Sequence, residues 1–185
     1  MTKQEIRFAI KQLKATLSQT QKENDAIIVK QKIEKSLWFK CATEVLTYNA
    51  LPDELQTEIQ LHEWFNNKRL HLPRVNGDTL DVLPAGDTTI GSFNIKEPIG
   101  NTLTPTQTID LAIIPGIAFD RNGARLGRGK GYYDKLLQNM AALKIGICYD
   151  FQLLEKLPLE PHDICMDAII TPSHSIIINN EYPWL

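Results

Sequence analysis

"IDLAIIPGIAFDRNGARLGRGKGYYDKLLQNMAALKIGICYD", Ile109 to Asp150, carries the fold in one pass. The apolar run from Ile109 to Phe119 has no polar alternation, as expected of a strand covered on both faces. A glycine-rich basic segment follows. "YYDKLLQNMAALK" then reads as a helix, and "KIGICYD" as a second buried strand. Strand, loop, helix and strand make a βαβ unit. That predicts an α/β fold, with a mostly parallel central sheet flanked by helices in a Rossmann-like three-layer arrangement.

Downstream, "DAIITP" and "SIIIN" supply two further β candidates. Upstream, residues 2–18 read as a helix with Ile6, Ile10, Leu13 and Leu17 on its apolar face. Lys3, Arg7, Lys11 and Lys14 form an adjacent stripe, with Lys11 and Lys14 expected in solvent. Residues 21–36 read as a second helix resting on Ile27, Ile28 and Ile33. "ATEVLTYNA" reads as a strand and loop, "PDELQTEIQLHEWFNN" as a helix with Asp53 and Glu54 near its start, and "RLHLPRV" as a strand. Residues 76–108, rich in Gly, Thr, Pro and Asp, suggest short strands and loops. No repeat interrupts the chain, so residues 1–185 are expected to form one domain.

The 185 residues carry a formal net charge of -2. This excludes a global basic field for nucleic acid and makes the cations near position 128 a local feature. Three cysteines without a C-x-x-C pair argue against a disulfide framework or a zinc site. Cys41, Cys148 and Cys165 are expected as small buried hydrophobes. The amphipathic N-terminus lacks the apolar run of a secretory signal, and no stretch approaches a membrane span. A cytoplasmic monomer acting on small molecules is the expectation, with no nucleic-acid or membrane partner.

"RLGRGKGYYDK", Arg125 to Lys135, alternates Gly127, Gly129 and Gly131 with Arg128 and Lys130. Glycines let backbone N–H groups approach a ligand, and arginines grip phosphate oxygens in pairs. The segment is neither a Walker A loop nor a dinucleotide fingerprint, because neither glycine spacing is met. It reads as a polyphosphate or nucleotide-phosphate site; the competing reading is a flexible basic turn. Asp134 either complements the start of the following helix or helps hold Mg²⁺ beside phosphates. Asp150, Asp163 and Asp167 are all placed to offer a second carboxylate, and spacing does not choose among them.

"IIPGIAFDRNGARLGRGKGYYDK", Ile113 to Lys135, closely resembles the signature of the 5-formyltetrahydrofolate cyclo-ligase family. "KQEIR", "LPDELQT" and "MDAII" add weaker likeness in the same order. The resemblance implies ATP- and Mg²⁺-dependent cyclisation of 5-formyltetrahydrofolate to 5,10-methenyltetrahydrofolate, with release of ADP and phosphate. It implies that Lys3, Arg7 and the run Arg125, Leu126, Gly127, Arg128, Gly129, Lys130, Gly131, Tyr132 and Tyr133 bind ATP. Arg128 to Tyr132 would also approach the folate, together with Asn49 and Glu54. Lys130 and Arg128 would act in catalysis, and Asp134 and Asp167 would hold Mg²⁺. One of the two tyrosines is expected in the core, while His62, His71, Trp38, Trp64 and Trp184 are expected to be structural. The alternative is a nucleotide- or folate-binding relative on the same scaffold without the chemistry.

Overall fold

The computed structural model describes residues 1–57, 63–181 and 183–184, and of Phe93 only the backbone. Seven strands form the main sheet in the order β12-β11-β9-β6-β1-β2-β3. They are β1 (Glu44–Leu46), β2 (Arg69–Asn76), β3 (Thr79–Pro84), β6 (Leu111–Pro115), β9 (Leu143–Ile147), β11 (Ala168–Ile170) and β12 (Ser175–Ile177). The five inner strands pair parallel; β3 and β12 close the two edges antiparallel. From β1 the chain runs to β2 on one side and later returns through β6 on the other. The strand order therefore reverses between β1 and β6, and a crevice opens beyond their carboxyl ends, where ligands of open α/β sheets bind.

Every residue of β6 is buried, because both faces of the sheet are covered. On one face Leu111, Ile113, Ile145 and Ile170 pack against Val29 and Ile33 of helix α2 (Gln19–Lys35) and Trp38 and Phe39 of helix α3 (Leu37–Cys41). On the other, Ala112, Ile114 and Ile169 meet Phe119 and, from helix α4 (Tyr132–Leu137), Leu136 and Leu137. These are the three layers expected from the sequence. Gly146 in β9 marks the closest approach: a Cβ there would lie 2.4 Å from the Phe119 ring and 2.8 Å from Ile169 Cδ1.

Helix α1 (Lys3–Ala15) opens on a capping box between Thr2 and Glu5. It packs on a small sheet of β7 (Ala118–Asp120), β8 (Arg125–Leu126) and β10 (Leu153–Leu154), with Ile6 and Ile10 against Ala118 and Leu126. The buried row is Ile6, Ile10 and Lys14, at four-residue steps, whereas Leu13 is 45% exposed. The solvated reading of Lys14 is thereby corrected. In α2 the contacts come from Ala26, Val29 and Ile33, while Ile27 and Ile28 stand largely outside. A hairpin of β4 (Thr88–Ile90) and β5 (Lys96–Pro98) occupies the irregular middle of the chain.

Among the described residues, the expected helix over "PDELQTEIQLHEWFNN" is met at Glu63 and Trp64, while residues 52–57 form a turn and irregular chain. Part of that prediction, with His62, lies outside the described residues. The helix after the glycines ends at Leu137, six residues long. Among the cysteines only Cys148 is buried; Cys41 and Cys165 are exposed. Trp38 and Trp64 are core residues, and Trp184 packs edge-on against Trp38 at 5.1 Å. His71 is buried, with Nε2 against Glu44 and Nδ1 2.8 Å from Thr104 Oγ1. Among the described residues no helix is long and apolar enough to cross a membrane.

Candidate active site

A cleft of about 650 Å³ stands at the point where the strand order reverses. Tyr48 and Asn49 enter it just beyond β1, and Pro115 and Gly116 at the end of β6. The whole run Arg125 to Asp134 lines it, as do Lys3, Arg7, Asn49 and Glu54. The sequence-predicted residues, scattered over four parts of the chain, thus share one cavity, with Asp167 the exception.

The glycine ribbon bends where side chains are disfavoured: Gly129 has φ +100° and Gly131 φ +69°. Gly131 is the N-cap of α4, with no side chain bonded over its first amides. Arg7 Nε donates to Gly127 O at 2.9 Å, so α1 clamps the ribbon from one side. Tyr132 Oη donates to Gly77 O at 3.2 Å, and Lys135 Nζ to Asp78 O at 2.9 Å, so the tip of the β2–β3 hairpin clamps it from the other. Arg125 is a buried post: Nη2 meets Asp134 Oδ1 at 2.9 Å, and the guanidinium lies 5.4 Å from the Tyr133 ring centre. Tyr133 is the tyrosine that packs on the core, and burial pushes its phenol above the ordinary range.

Three cations of the cleft, Arg128, Lys3 and Arg125, are met by carboxylates. Arg128 Nη2 lies 2.6 Å from Asp53 Oδ1 and 3.1 Å from Glu54 Oε1. Beneath them Lys14 Nζ reaches Asp53 Oδ2 at 3.3 Å. Burial pulls the Lys14 ammonium below its usual range. Burial opposes ionisation of Asp53, but Lys14 and Arg128 outweigh it and hold that carboxyl below the usual range. Lys3 Nζ sits 2.8 Å from Asp163 Oδ2. Lys130 is different: it is exposed on the cleft, and among the described residues its ammonium meets no hydrogen-bond or ion-pair partner.

Glu54 is held from several directions. Its Oε2 accepts from Leu51 N at 3.1 Å, its Oε1 from Arg128, and its backbone O from Tyr149 Oη at 3.1 Å. Burial pushes the Tyr149 phenol up to about 12, so it remains a donor. Asn49 Nδ2 donates to Lys96 O at 2.6 Å, tying the loop after β1 to β5. The far end of the cleft is apolar, with Pro73, Val75, Leu80 and Ile95.

Asp167, expected beside Mg²⁺, does not line the cleft. It precedes β11, at the amino ends of the parallel strands, whereas the cleft lies beyond their carboxyl ends. Its carboxylate accepts from Lys144 N at 2.8 Å and Asn179 Nδ2 at 3.0 Å. Asp163 lines the cleft instead, grouped with Glu160 and His162. Burial works against its ionisation, but the bond from Lys3 outweighs it and holds the carboxyl below the usual range. Arg125 hydrogen-bonds Asp134 through Oδ1, and the cleft offers hard oxygen donors at both Asp134 and Asp163. Such a set fits Mg²⁺, which takes one or two carboxylates and completes its shell with phosphate and water. Sequence spacing had admitted Asp163, but it carries no signal of how the connection before β11 is routed past the cleft. Glu97, also on the cleft wall, had no motif to reveal it.

The chain resembles proteins of known activity. It is 40% identical over 97 residues, half of this chain and half of the other, to the 5-formyltetrahydrofolate cyclo-ligase of Mycolicibacterium smegmatis. It is 34% identical over 144 residues, 71% of this chain and 79% of the other, to that of Escherichia coli K12. The NMR structure of Aquifex aeolicus 5,10-methenyltetrahydrofolate synthetase superposes with a TM-score of 0.90 at 30% identity, covering 98% of this chain and 95% of that one. Residues 1–172 match the model of the 5-formyltetrahydrofolate cyclo-ligase family, and the chain belongs to that family.

Proposed function

We infer that this chain closes 5-formyltetrahydrofolate to 5,10-methenyltetrahydrofolate, with conversion of ATP to ADP and phosphate. An N-formyl group is an amide, so its carbon is a poor electrophile and its oxygen a poor leaving group. Transfer of the γ-phosphoryl group to the formyl oxygen expels ADP and turns that oxygen into a phosphate leaving group. The N10 lone pair then attacks the formyl carbon, the C–O bond breaks, phosphate departs, and the N10 proton is lost to solvent. The protein needs only to align two substrates and neutralise the moving charge.

Lys130 is assigned to the moving phosphoryl group. The observation that carries the reading is its unpaired ammonium, on a cleft wall where the neighbouring cations are already committed. Arg128 joins it once phosphate oxygens compete with Asp53 and Glu54, because a guanidinium grips such oxygens in pairs. Lys3, Arg7 and the backbone from Arg125 to Tyr133 line the nucleotide's phosphates, and Asn49 and Glu54 border the folate. Asp134 and Asp163 would hold a magnesium ion, which when bound offsets phosphate charge. The reading treats residues 1–185 as one catalytic unit. The free thiols suit a reducing cytoplasm, and a monomer suffices because every assigned group lies on one chain. The test is spectrophotometric: protein, 5-formyltetrahydrofolate, ATP and Mg²⁺ should generate methenyl absorbance, and silence across pH and metal concentration would overturn the reading.

A further inference from the structure

Glu97 is a carboxylate set among the apolar side chains Val75, Leu80 and Ile95 of the cleft wall. It belongs to β5 and is 7% exposed. Its Oε1 accepts from Val75 N at 3.3 Å. Among the described residues its Oε2 meets no donor, and no cation lies within ion-pair distance. The side chain rests on bare backbone: a Cβ on Gly91 would stand 2.1 Å from Glu97 Oε2. Burying a carboxylate with one neutral hydrogen bond is costly unless something else supplies donors. Glu54, the other acid of this region, has both oxygens engaged by Leu51 and Arg128.

We propose that Glu97 determines specificity at the folate end of the cleft, accepting N–H donors from the amino-pyrimidine edge of the bound pterin. This rests on the cyclo-ligase reading. The edge carries a ring N–H and an exocyclic amine side by side, and a carboxylate has the lone pairs to accept both. The pterin's flat faces suit the apolar walls around it. A site built to bond such a group rejects an analogue lacking it, because its own polar atom is then stranded.

The experiment measures binding apart from turnover. Calorimetry gives Kd for 5-formyltetrahydrofolate and for its 2-desamino analogue, on the unaltered protein and on Glu97→Gln. The unaltered protein should prefer the amine-bearing ligand by about tenfold or more, and Glu97→Gln should lose most of that preference. The Kd for ATP should move less than about twofold. Gly91→Ala, which fills the seat, should act like Glu97→Gln and guards against a special effect of the glutamine. Retained discrimination in Glu97→Gln would overturn the proposal, as would equal losses for folate and ATP in a variant that still melts cooperatively. If the unaltered protein binds 5-formyltetrahydrofolate but makes no methenyl product, the proposed reaction fails while the role of Glu97 is still decided by the two Kd values.

Discussion

Arg128 Nη2 stands 3.1 Å from Glu54 Oε1, so a residue expected at both substrates and one expected at the folate alone hold each other across the cleft. The pair joins the phosphate-facing ribbon to the turn that borders the folate end. Asp53 and the buried Lys14 extend it into α1. On the function proposed above, Arg128 exchanges carboxylates for phosphate when ATP enters.

Replacing Arg128 by Lys tests that exchange. Lysine keeps the charge but loses the fork that spans two acceptors at once. We expect kcat/KM for ATP to fall about 10- to 100-fold, with the melting temperature nearly unchanged because the pair is partly exposed. Steady-state kinetics with varied ATP check this.

Lys130→Ala should lower kcat about 100- to 1,000-fold, the usual loss when one aligned stabiliser of transition-state charge is removed. Its thermal melt should match the parent, since among the described residues the ammonium has no partner to lose. Parent-like turnover would remove Lys130 from the mechanism.

The two late aspartates should part company. Asp163→Asn should raise the Mg²⁺ concentration for half-maximal rate about tenfold or more, while Asp167→Asn leaves it unchanged. Asp167→Asn should instead cost about 1–3 kcal/mol of stability, because its carboxylate holds the Lys144 amide and the Asn179 side chain. Metal titrations and urea melts of both variants decide the assignment.

Asp53 and Asp163 make stability fall in acid. Both carboxyls sit below the usual 3.8 in the folded chain. Their contribution is complete above that unfolded value and lost as pH drops through the lower folded values, because the unfolded chain takes up the protons first. Melting temperatures from pH 6 to pH 3 should decline most steeply below about pH 4, and Asp53→Asn should flatten part of that decline.

Gly146→Ala should cost about 1–3 kcal/mol through overpacking, because the added methyl meets the Phe119 ring at 2.4 Å. Combining it with Phe119→Leu should recover part of the loss. Thermal melts of the two variants give the comparison.

The layers and the ribbon could be read from sequence because each rests on short-range pattern. Ile109 to Phe119 and Lys144 to Asp150 are apolar runs, and the glycines mark their own turn. Helix faces were harder. Leu13 fits the apolar stripe of α1 by period, yet the row facing the small sheet continues to Lys14, which is tolerated there because Asp53, thirty-nine residues later, neutralises it. The placement of Asp167 was hidden for a related reason. Both it and Asp163 precede β11, and only the folded path of the connection before that strand brings Asp163 to the cleft and leaves Asp167 at the strand's amino end. Glu97 lay in a loop-rich region whose placement depends on Gly91, and no periodicity announces such a contact.

The pairing of Arg128, Lys3 and Arg125 with Asp53, Glu54, Asp163 and Asp134 gives the cleft its own internal counter-ions. An arriving polyanion therefore meets little net attraction from these groups and must displace resident carboxylates one by one. Only a guest whose shape lets it replace all of those lost contacts at once gains by entering, so the cavity selects by geometry where a bare basic groove would select by charge alone.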